Sequence, residues 1–513
     1  MCGICGIAVL GAAEKELDPA TIAAMVARLA HRGPDGEWAT GDAQARFGMA
    51  RLAIRGLDSG VQPIVDAESG VMVVCNGEID NHGELRAFLA ERGHTVAQDT
   101  DVAVLPGLYL ELGEQFVERL AGAYALAVWD PRKRMLLLAR DRAGERPLFF
   151  RHVDGVAQFA SQLSAMAVAA ELAFDAPALR RYLQLGYFPA PDSPFAGVHK
   201  VGPGETVVIS EQGVRRERYW RWPRACPPKA EISLDAFDAV FREAVRRQSE
   251  VDVKFGLFLS GGVDSSLIAA VAKSLRPDKP LAAYGLRFGE DSYDEGAYAE
   301  QVAQSLGIDY VPVWVKPEDF PPMLAELVRN VGEPLADPAW VPTALLSRRA
   351  AQDIRISLSG EGADELFGGY PTYFGAGLAE HYGRLPKALR GLIRHAVDAW
   401  PPSDKKVTLS FLLKRFVQGD GLEGVARHVL WTSSVPPALL ARLGLAPEPI
   451  TWTPPGEEAL LDRIQRYDLE MSLAEGLLTK ADRGSMLSAL ELRAPFLDPD
   501  VLDFPPPYRS TSG

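Results

Sequence analysis

Apolar positions along the chain follow two different regimes. Behind Asp18-Pro19, residues Ile22, Met25, Val26 and Leu29 recur at the i, i+3, i+4, i+7 spacing, which predicts a helix that Gly33 stops. Val71 to Cys75 reads as a short apolar strand ending in the turn pair Asn76-Gly77. Ala125 to Trp129, Met135 to Arg140, Leu148 to His152 and Val156 to Ala160 read as further strands, with turns at Asp130-Pro131 and Asp154-Gly155. Strands spaced this closely predict an α+β unit built on meandering antiparallel sheets.

The regime changes at residues 221–232. Pro223, Pro227 and Pro228 cannot continue a helix, so this stretch reads as a linker. Ser233 then caps a helix with Leu234, Phe237, Val240 and Phe241 on one face. Beyond it strand and helix alternate. Phe255 to Leu259 precedes a helix from Ser265 to Leu275, Leu281 to Phe288 precedes one from Glu295 to Leu306, and Ile354 to Leu358 is another strand. That alternation predicts an α/β unit with a parallel sheet, and from Leu378 onward the chain reads as mainly helical.

Composition narrows the function classes. At roughly 150 residues per domain, 513 residues predict two to four domains. Hydrophobic residues at 47% and charged residues at 24% exclude a disordered, collagen-like or coiled-coil chain. A net charge of −14 argues against nucleic-acid binding by bulk charge, so a phosphate ligand must be held by backbone dipoles or metal ions. No apolar run approaches the ~18 residues of a membrane span. Four cysteines (Cys2, Cys5, Cys75, Cys226) form no disulfide framework, and the expected setting is the reducing cytoplasm.

Two segments carry candidate phosphate chemistry. Leu259-Ser260-Gly261-Gly262-Val263-Asp264-Ser265-Ser266 runs from a buried strand through two glycines into a helix, which lets backbone amides and the helix dipole approach an anion. It lacks the Lys-Ser/Thr of a Walker loop. Asp264 would repel a phosphate unless a divalent cation lay between them, which predicts Mg²⁺. Ser359-Gly360-Glu361-Gly362-Ala363-Asp364 repeats the theme after a second strand. In an open parallel sheet both loops face one crevice, so Asp264 and Asp364 are expected together as metal ligands.

The amino end offers a different chemistry. Removal of Met1 would leave Cys2 with a free α-amine that serves as general base for its own thiol. A Cys2-x-x-Cys5 zinc half-site lacks a second cysteine pair; an inert cysteine is the other alternative. Asn76 and Gly77 offer a side-chain amide and a backbone N–H to an oxyanion. Arg51 suits a substrate carboxylate and Asp99 a substrate ammonium, which together fit a free amino acid.

Taken with His31-Arg32-Gly33-Pro34-Asp35, Arg140-Asp141-Arg142 and Arg493-Ala494-Pro495-Phe496-Leu497-Asp498, these motifs resemble the glutamine-dependent asparagine synthetases over nearly the whole chain. The resemblance implies a class II (N-terminal nucleophile) glutaminase domain over residues 2–220 and a PP-loop synthetase domain over 233–513. It implies that Cys2 is the nucleophile and that Asn76 and Gly77 form the oxyanion hole. Glutamine would be bound by Arg51, Leu52, Ala53, Ile54, Arg55, Asn76, Gly77, Glu78 and Asp99. ATP would be bound by Leu259, Ser260, Gly261, Gly262, Asp264, Ser265, Leu286, Ser359 and Gly360, with Mg²⁺ on Asp264 and Asp364. Glu361 would act near the acyl-adenylate, ammonia would pass through an internal tunnel, and a homodimer is implied.

The chain departs from that pattern at Arg146, Gln162 and Asp80, where Lys, Glu and Tyr are usual. It also stops 15 residues after Asp498 (513 − 498), without the Lys/Arg-rich segment whose lysine contacts pyrophosphate. Either the end is truncated, or neutralisation falls to other residues; Lys480 is one candidate, and Thr479 to Arg483 reads equally as a helix surface with local ion pairs. The acceptor is expected to be aspartate. The alternatives are another carboxylate, on a sugar or secondary metabolite, or a protein that retains only glutaminase or binding function.

Overall fold

The computed structural model describes residues 2–10, 17–96, 98–222, 233–401, 405, 408–450, 452 and 459–504. The expected linker, beyond Trp222, and the chain after Phe504 lie outside those residues.

Two six-stranded antiparallel sheets occupy the first part. In one, Cys2–Val9 lies between Ala45–Arg51 and Val156–Ala160. Alternation along this strand sends Cys2, Ile4 and Ala8 into the core between the sheets, against Met72, Val74, Ala125 and Ala127 of the second sheet. Cys5, Ile7 and Val9 face the other way, onto Ile22, Met25, Val26 and Leu29 of the helix Pro19–Ala27. Asp18 caps that helix, accepting from Ala20 N at 2.9 Å. A side chain at position 6 would collide with the edge-to-face pair Phe47 and Phe159, whose ring centroids are 4.8 Å apart.

The sheets are not simple meanders, because the amino-terminal strand is inserted between strands far from it in sequence. The expected turn at Asn76-Gly77 is also corrected. Both residues continue the strand Met72–Gly77, opposite Ala125 and Tyr124. Gly77 has φ of 143°, and a Cβ there would lie 2.0 Å from the carbonyl oxygen of Ala123. The Asn-Gly pair therefore serves close backbone approach rather than chain reversal.

The second part holds a five-stranded parallel sheet in the order Asp309–Val315, Ala282–Phe288, Phe255–Phe258, Ile356–Leu358, Glu491–Arg493. Sequence periodicity did not reveal its outermost strands, Asp309–Val315 and Glu491–Arg493. Ser233 caps the helix Leu234–Ser249 as expected, accepting from Ala236 N at 3.3 Å. The chain reaches the sheet centre first and then builds outward on both sides, so the order reverses between Phe255–Phe258 and Ile356–Leu358. The two glycine loops leave these adjacent strands at the same end, where open α/β sheets leave a crevice. No described helix is long and apolar enough to cross a membrane.

Asp498 caps the helix Pro499–Leu502, accepting from Asp500 N at 3.0 Å, while its Oδ2 is buried without a hydrogen-bond partner among the described residues. Burial, opposed by Arg247 and reinforced by Asp80, pushes its pKa up to about 7. An unfolded chain loses this proton near pH 4, whereas the folded protein keeps it until about pH 7. Asp498 therefore lowers stability progressively as pH rises through that window. Asp498→Asn is expected to melt above the parent at pH 7.5, with the gap closing toward pH 4.5. Equal differences in melting temperature at both pH values would refute this.

Candidate active sites

Cys2 begins its strand opposite Arg51, 6% exposed. Its N–H donates to Asn76 Oδ1 at 2.8 Å, its carbonyl accepts from Arg32 Nε at 3.1 Å, and its Sγ lies 4.0 Å from the Leu52 carbonyl oxygen. Burial pushes the thiol above its ordinary pKa, and the positive amino end opposes that shift. Asn76 is fully buried. Its Oδ1 is used by Cys2, but Nδ2 has no hydrogen-bond partner among the described residues. A buried amide donor left open beside a thiol can donate to an oxygen brought in from elsewhere.

Of the expected glutamine residues, Leu52 to Arg55 lie on one loop next to Arg51, with Glu78 beside Arg55. Arg51 donates to the carbonyls of Leu57, Arg55 and Gly56 at 3.3, 3.3 and 2.7 Å, so much of its fork braces the loop. Ala53 N donates to Asp35 Oδ2 at 2.8 Å. Leu52 and Ile54 are buried against Ile356, Met486 and Ala489 of the second part. Arg55 lies 2.9 Å from Glu78, and Arg493 lies 3.5 Å from the same carboxylate. Asp80, at the position where Tyr is usual, is 3.8 Å from Arg55. Asp99 stands farther out, exposed, on a cavity of about 300 Å³ that it shares with Arg55, His82, Arg86 and Asp252 and that Cys2 and Asn76 do not line.

At the second site the first glycine loop is already folded. Ser260 Oγ and Ser265 Oγ are 3.1 Å apart, Gly262 N donates to Ser260 Oγ at 3.3 Å, and Ser265 Oγ donates to the Gly262 carbonyl at 3.2 Å. Gly261 has φ of 81°, and a Cβ there would lie 2.5 Å from Ala299 N. Leu259 N is tied to the Tyr284 carbonyl at 2.9 Å, and Ser359 N to the Arg493 carbonyl at 2.9 Å. Leu286 sits in the neighbouring strand Ala282–Phe288, half-buried. The helix Val263–Leu275 starts with Gly262 and Val263 open to solvent.

The two loops touch, since a Cβ on Gly360 would lie 3.3 Å from Cβ of Asp264. Burial raises the pKa of Asp264; burial, then Asp264 and Glu361, raises that of Asp364. No described cation pairs with either aspartate, and no third ligand-type residue completes a cluster among the described residues. Two half-buried like charges at a loop crossing fit a divalent cation whose other ligands come from phosphate and water.

Glu361 Oε1 lies 3.1 Å from Lys480 Nζ. Burial works against the lysine's charge, but Glu361 and Asp337 hold its pKa above the ordinary value. The alternative reading of Thr479 to Arg483 as a helix surface is corrected. In the helix Leu478–Met486 every residue except the half-buried Lys480 is buried.

That helix joins the two sites. Asp482 takes Arg32 in a bidentate pair at 2.8 and 2.9 Å, with both side chains at most 1% exposed. Arg483 lies 2.7 Å from Glu333, and Lys200 lies 2.6 Å from Glu333 and 3.0 Å from Glu475. Arg140 reaches Glu475 at 2.6 Å. Sequence reasoning gave Arg32 and Asp482 no role. The available signal was a charged helix studded with small residues, Ala481, Gly484 and Ser485, which suits close packing rather than a solvated face.

Residues 1–220 match the family model of a glutamine amidotransferase domain, and residues 236–505 match that of asparagine synthase. The chain is 31% identical over 484 residues to asparagine synthetase [glutamine-hydrolyzing] 1 of Bacillus subtilis, covering 93% of this chain and 76% of that protein. It is 32% identical over 539 residues to a putative asparagine synthetase of Mycobacterium tuberculosis, covering 98% and 81% respectively. A putative asparagine synthetase of Methanocaldococcus jannaschii is 27% identical over 97% of this chain and 100% of its own length.

Proposed function

The chain belongs to the glutamine-hydrolysing asparagine synthase family, and from that premise we propose that it makes asparagine from aspartate, glutamine and ATP through a β-aspartyl adenylate. The observation that carries the reading is the open Asn76 Nδ2 beside Cys2, in a chain that also brings two glycine loops together at Asp264 and Asp364.

In the first half-reaction the α-amine of processed Cys2 takes the thiol proton, and the sulfur attacks the glutamine amide carbon. Asn76 Nδ2 and the Gly77 N–H receive the oxyanion, the proton passes to the leaving nitrogen, and ammonia departs from a thioester that water then hydrolyses. The loop around Arg51, Leu52, Ala53, Ile54, Arg55 and Glu78, with Asp99 at its rim, holds the glutamine. In the second, the Leu259–Ser265 loop with Leu286, Ser359 and Gly360 holds ATP while the aspartate β-carboxylate displaces pyrophosphate from the α-phosphorus. Mg²⁺ bound by Asp264 and Asp364 would neutralise the developing phosphate charge. Ammonia then attacks the adenylate, Glu361 accepts a proton from the nitrogen, and AMP leaves.

Leu52, Ile54, Ile356, Met486 and Ala489 form an apolar cluster that joins the glutamine loop to the parallel sheet. A passage through such surroundings keeps ammonia unprotonated and nucleophilic. The test is a balance of products with glutamine, aspartate and MgATP. Glutamate, asparagine, AMP and pyrophosphate are expected in equal amounts. ADP in place of AMP, or glutamate with no AMP, would overturn the assignment.

A further inference from the structure

The loop proposed to hold glutamine is fastened from the other half of the chain. Asp252 grips it at two points. Its Oδ2 accepts from Gly56 N at 2.9 Å, and its own N–H donates to the Ile54 carbonyl at 3.3 Å. Between those points stands Arg55, whose guanidinium donates to the Arg247 carbonyl at 3.2 Å and lies 2.9 Å from Glu78. Asp252 itself sits between the helix Leu234–Ser249 and the strand Phe255–Phe258, which leads into the first glycine loop.

Gly56 is closely packed as well. Its φ is 56°, and a Cβ there would lie 2.7 Å from the Asp99 carbonyl oxygen and 2.6 Å from Thr100 Cγ2. Its carbonyl accepts from Arg51 Nη2 at 2.7 Å. Moving Gly56 would therefore disturb Arg51 and Asp99 directly, and Glu78 through Arg55. Asp252 is exposed, and no described cation is within ion-pair distance of its carboxylate, so its charge is directed at the loop amide. A backbone N–H held by an ionised carboxylate is a stronger tie than a neutral hydrogen bond.

We infer that Asp252 is a positioning residue for glutamine: by clamping Ile54 and Gly56 from the synthetase half, it fixes Arg55, and through Arg55 the Glu78 carboxylate, where the substrate needs them. The inference rests on the proposed glutamine hydrolysis and adds a residue of the other half on which that step depends.

The experiment follows glutamate release over a range of glutamine concentrations in the full chain. Pyrophosphate release fed by ammonium chloride, aspartate and MgATP is the second readout. Asp252→Ala should raise KM for glutamine about three- to tenfold, the scale of one charge-assisted hydrogen bond at an exposed position. Its kcat should stay close to the parent's, because Cys2 and Asn76 keep their contacts. Asp252→Asn still offers an oxygen to the Gly56 N–H and should recover most of the loss. Ammonium-fed pyrophosphate release should match in all three proteins. Glu250→Gln controls for charge alone, since Glu250 lines the same cavity but pairs with Arg246, and its glutamine KM should stay parental. A parental KM in Asp252→Ala, an Asp252→Asn as impaired as Asp252→Ala, an equal rise in Glu250→Gln, or an equal fall in ammonium-fed turnover would each sink this inference alone. A parent that releases no glutamate from glutamine sinks the proposed function and this inference with it.

Discussion

Cys2→Ala is expected to abolish glutamine-dependent asparagine formation, with glutamine hydrolysis falling by about 10³-fold or more, the usual consequence of losing a nucleophile. Asn76 and the loop around Arg51 would remain, so glutamine still binds, yet no sulfur is left to attack its amide. Pyrophosphate release driven by ammonium salts should persist near the parental rate, because the loops at Asp264 and Asp364 lie in the other half of the chain. Two measurements on one preparation check this: glutamate formed from glutamine, and pyrophosphate formed with ammonium chloride. Retention of glutamine use would remove Cys2 from the chemistry, whereas loss of both activities would show that the half-reactions are not separable in this protein.

Asp482→Ala is expected to have the largest effect of any change outside the reacting groups. It would leave the Arg32 guanidinium buried without its counter-charge, and breaking a buried pair from one side costs about 3–5 kcal/mol. Arg32 also holds the Cys2 carbonyl at 3.1 Å, so the Cys2 backbone loses its support in the same step. The expected result is a lower melting temperature together with slower glutamine hydrolysis. Replacing both partners by apolar residues, Arg32→Met with Asp482→Leu, should recover much of the melting temperature but not the hydrolysis, because the tie to the Cys2 carbonyl stays broken. Full recovery of hydrolysis in the double variant would mean that Arg32 positions nothing.

What could be read from residue order depended on the distance over which each cause acts. The helix start behind Asp18, the cap at Ser233, strand alternation and the glycine loops are set by neighbours a few residues away, and the structure bears them out. Asn76-Gly77 misleads for an instructive reason. The pair tolerates positive φ, which turns demand, but here the demand comes from the Ala123 carbonyl across the sheet. Strand Glu491–Arg493 is three residues long, too short for periodicity, and is held by its place beside Ile356–Leu358. Arg32 and Asp482 are separated by 450 residues, so each looks like an ordinary surface charge until the two parts are brought together.

The buried ion pairs around the helix Leu478–Met486 bear on modularity. Arg32, Arg140 and Lys200 belong to the first part, and their acids Asp482, Glu475 and Glu333 all belong to the second. An amino-terminal fragment severed near residue 220 would present three stranded cations where it once met its neighbour. Grafting it onto another synthetase partner would require transplanting the matching acids as well, so the two parts form a keyed set rather than interchangeable cassettes.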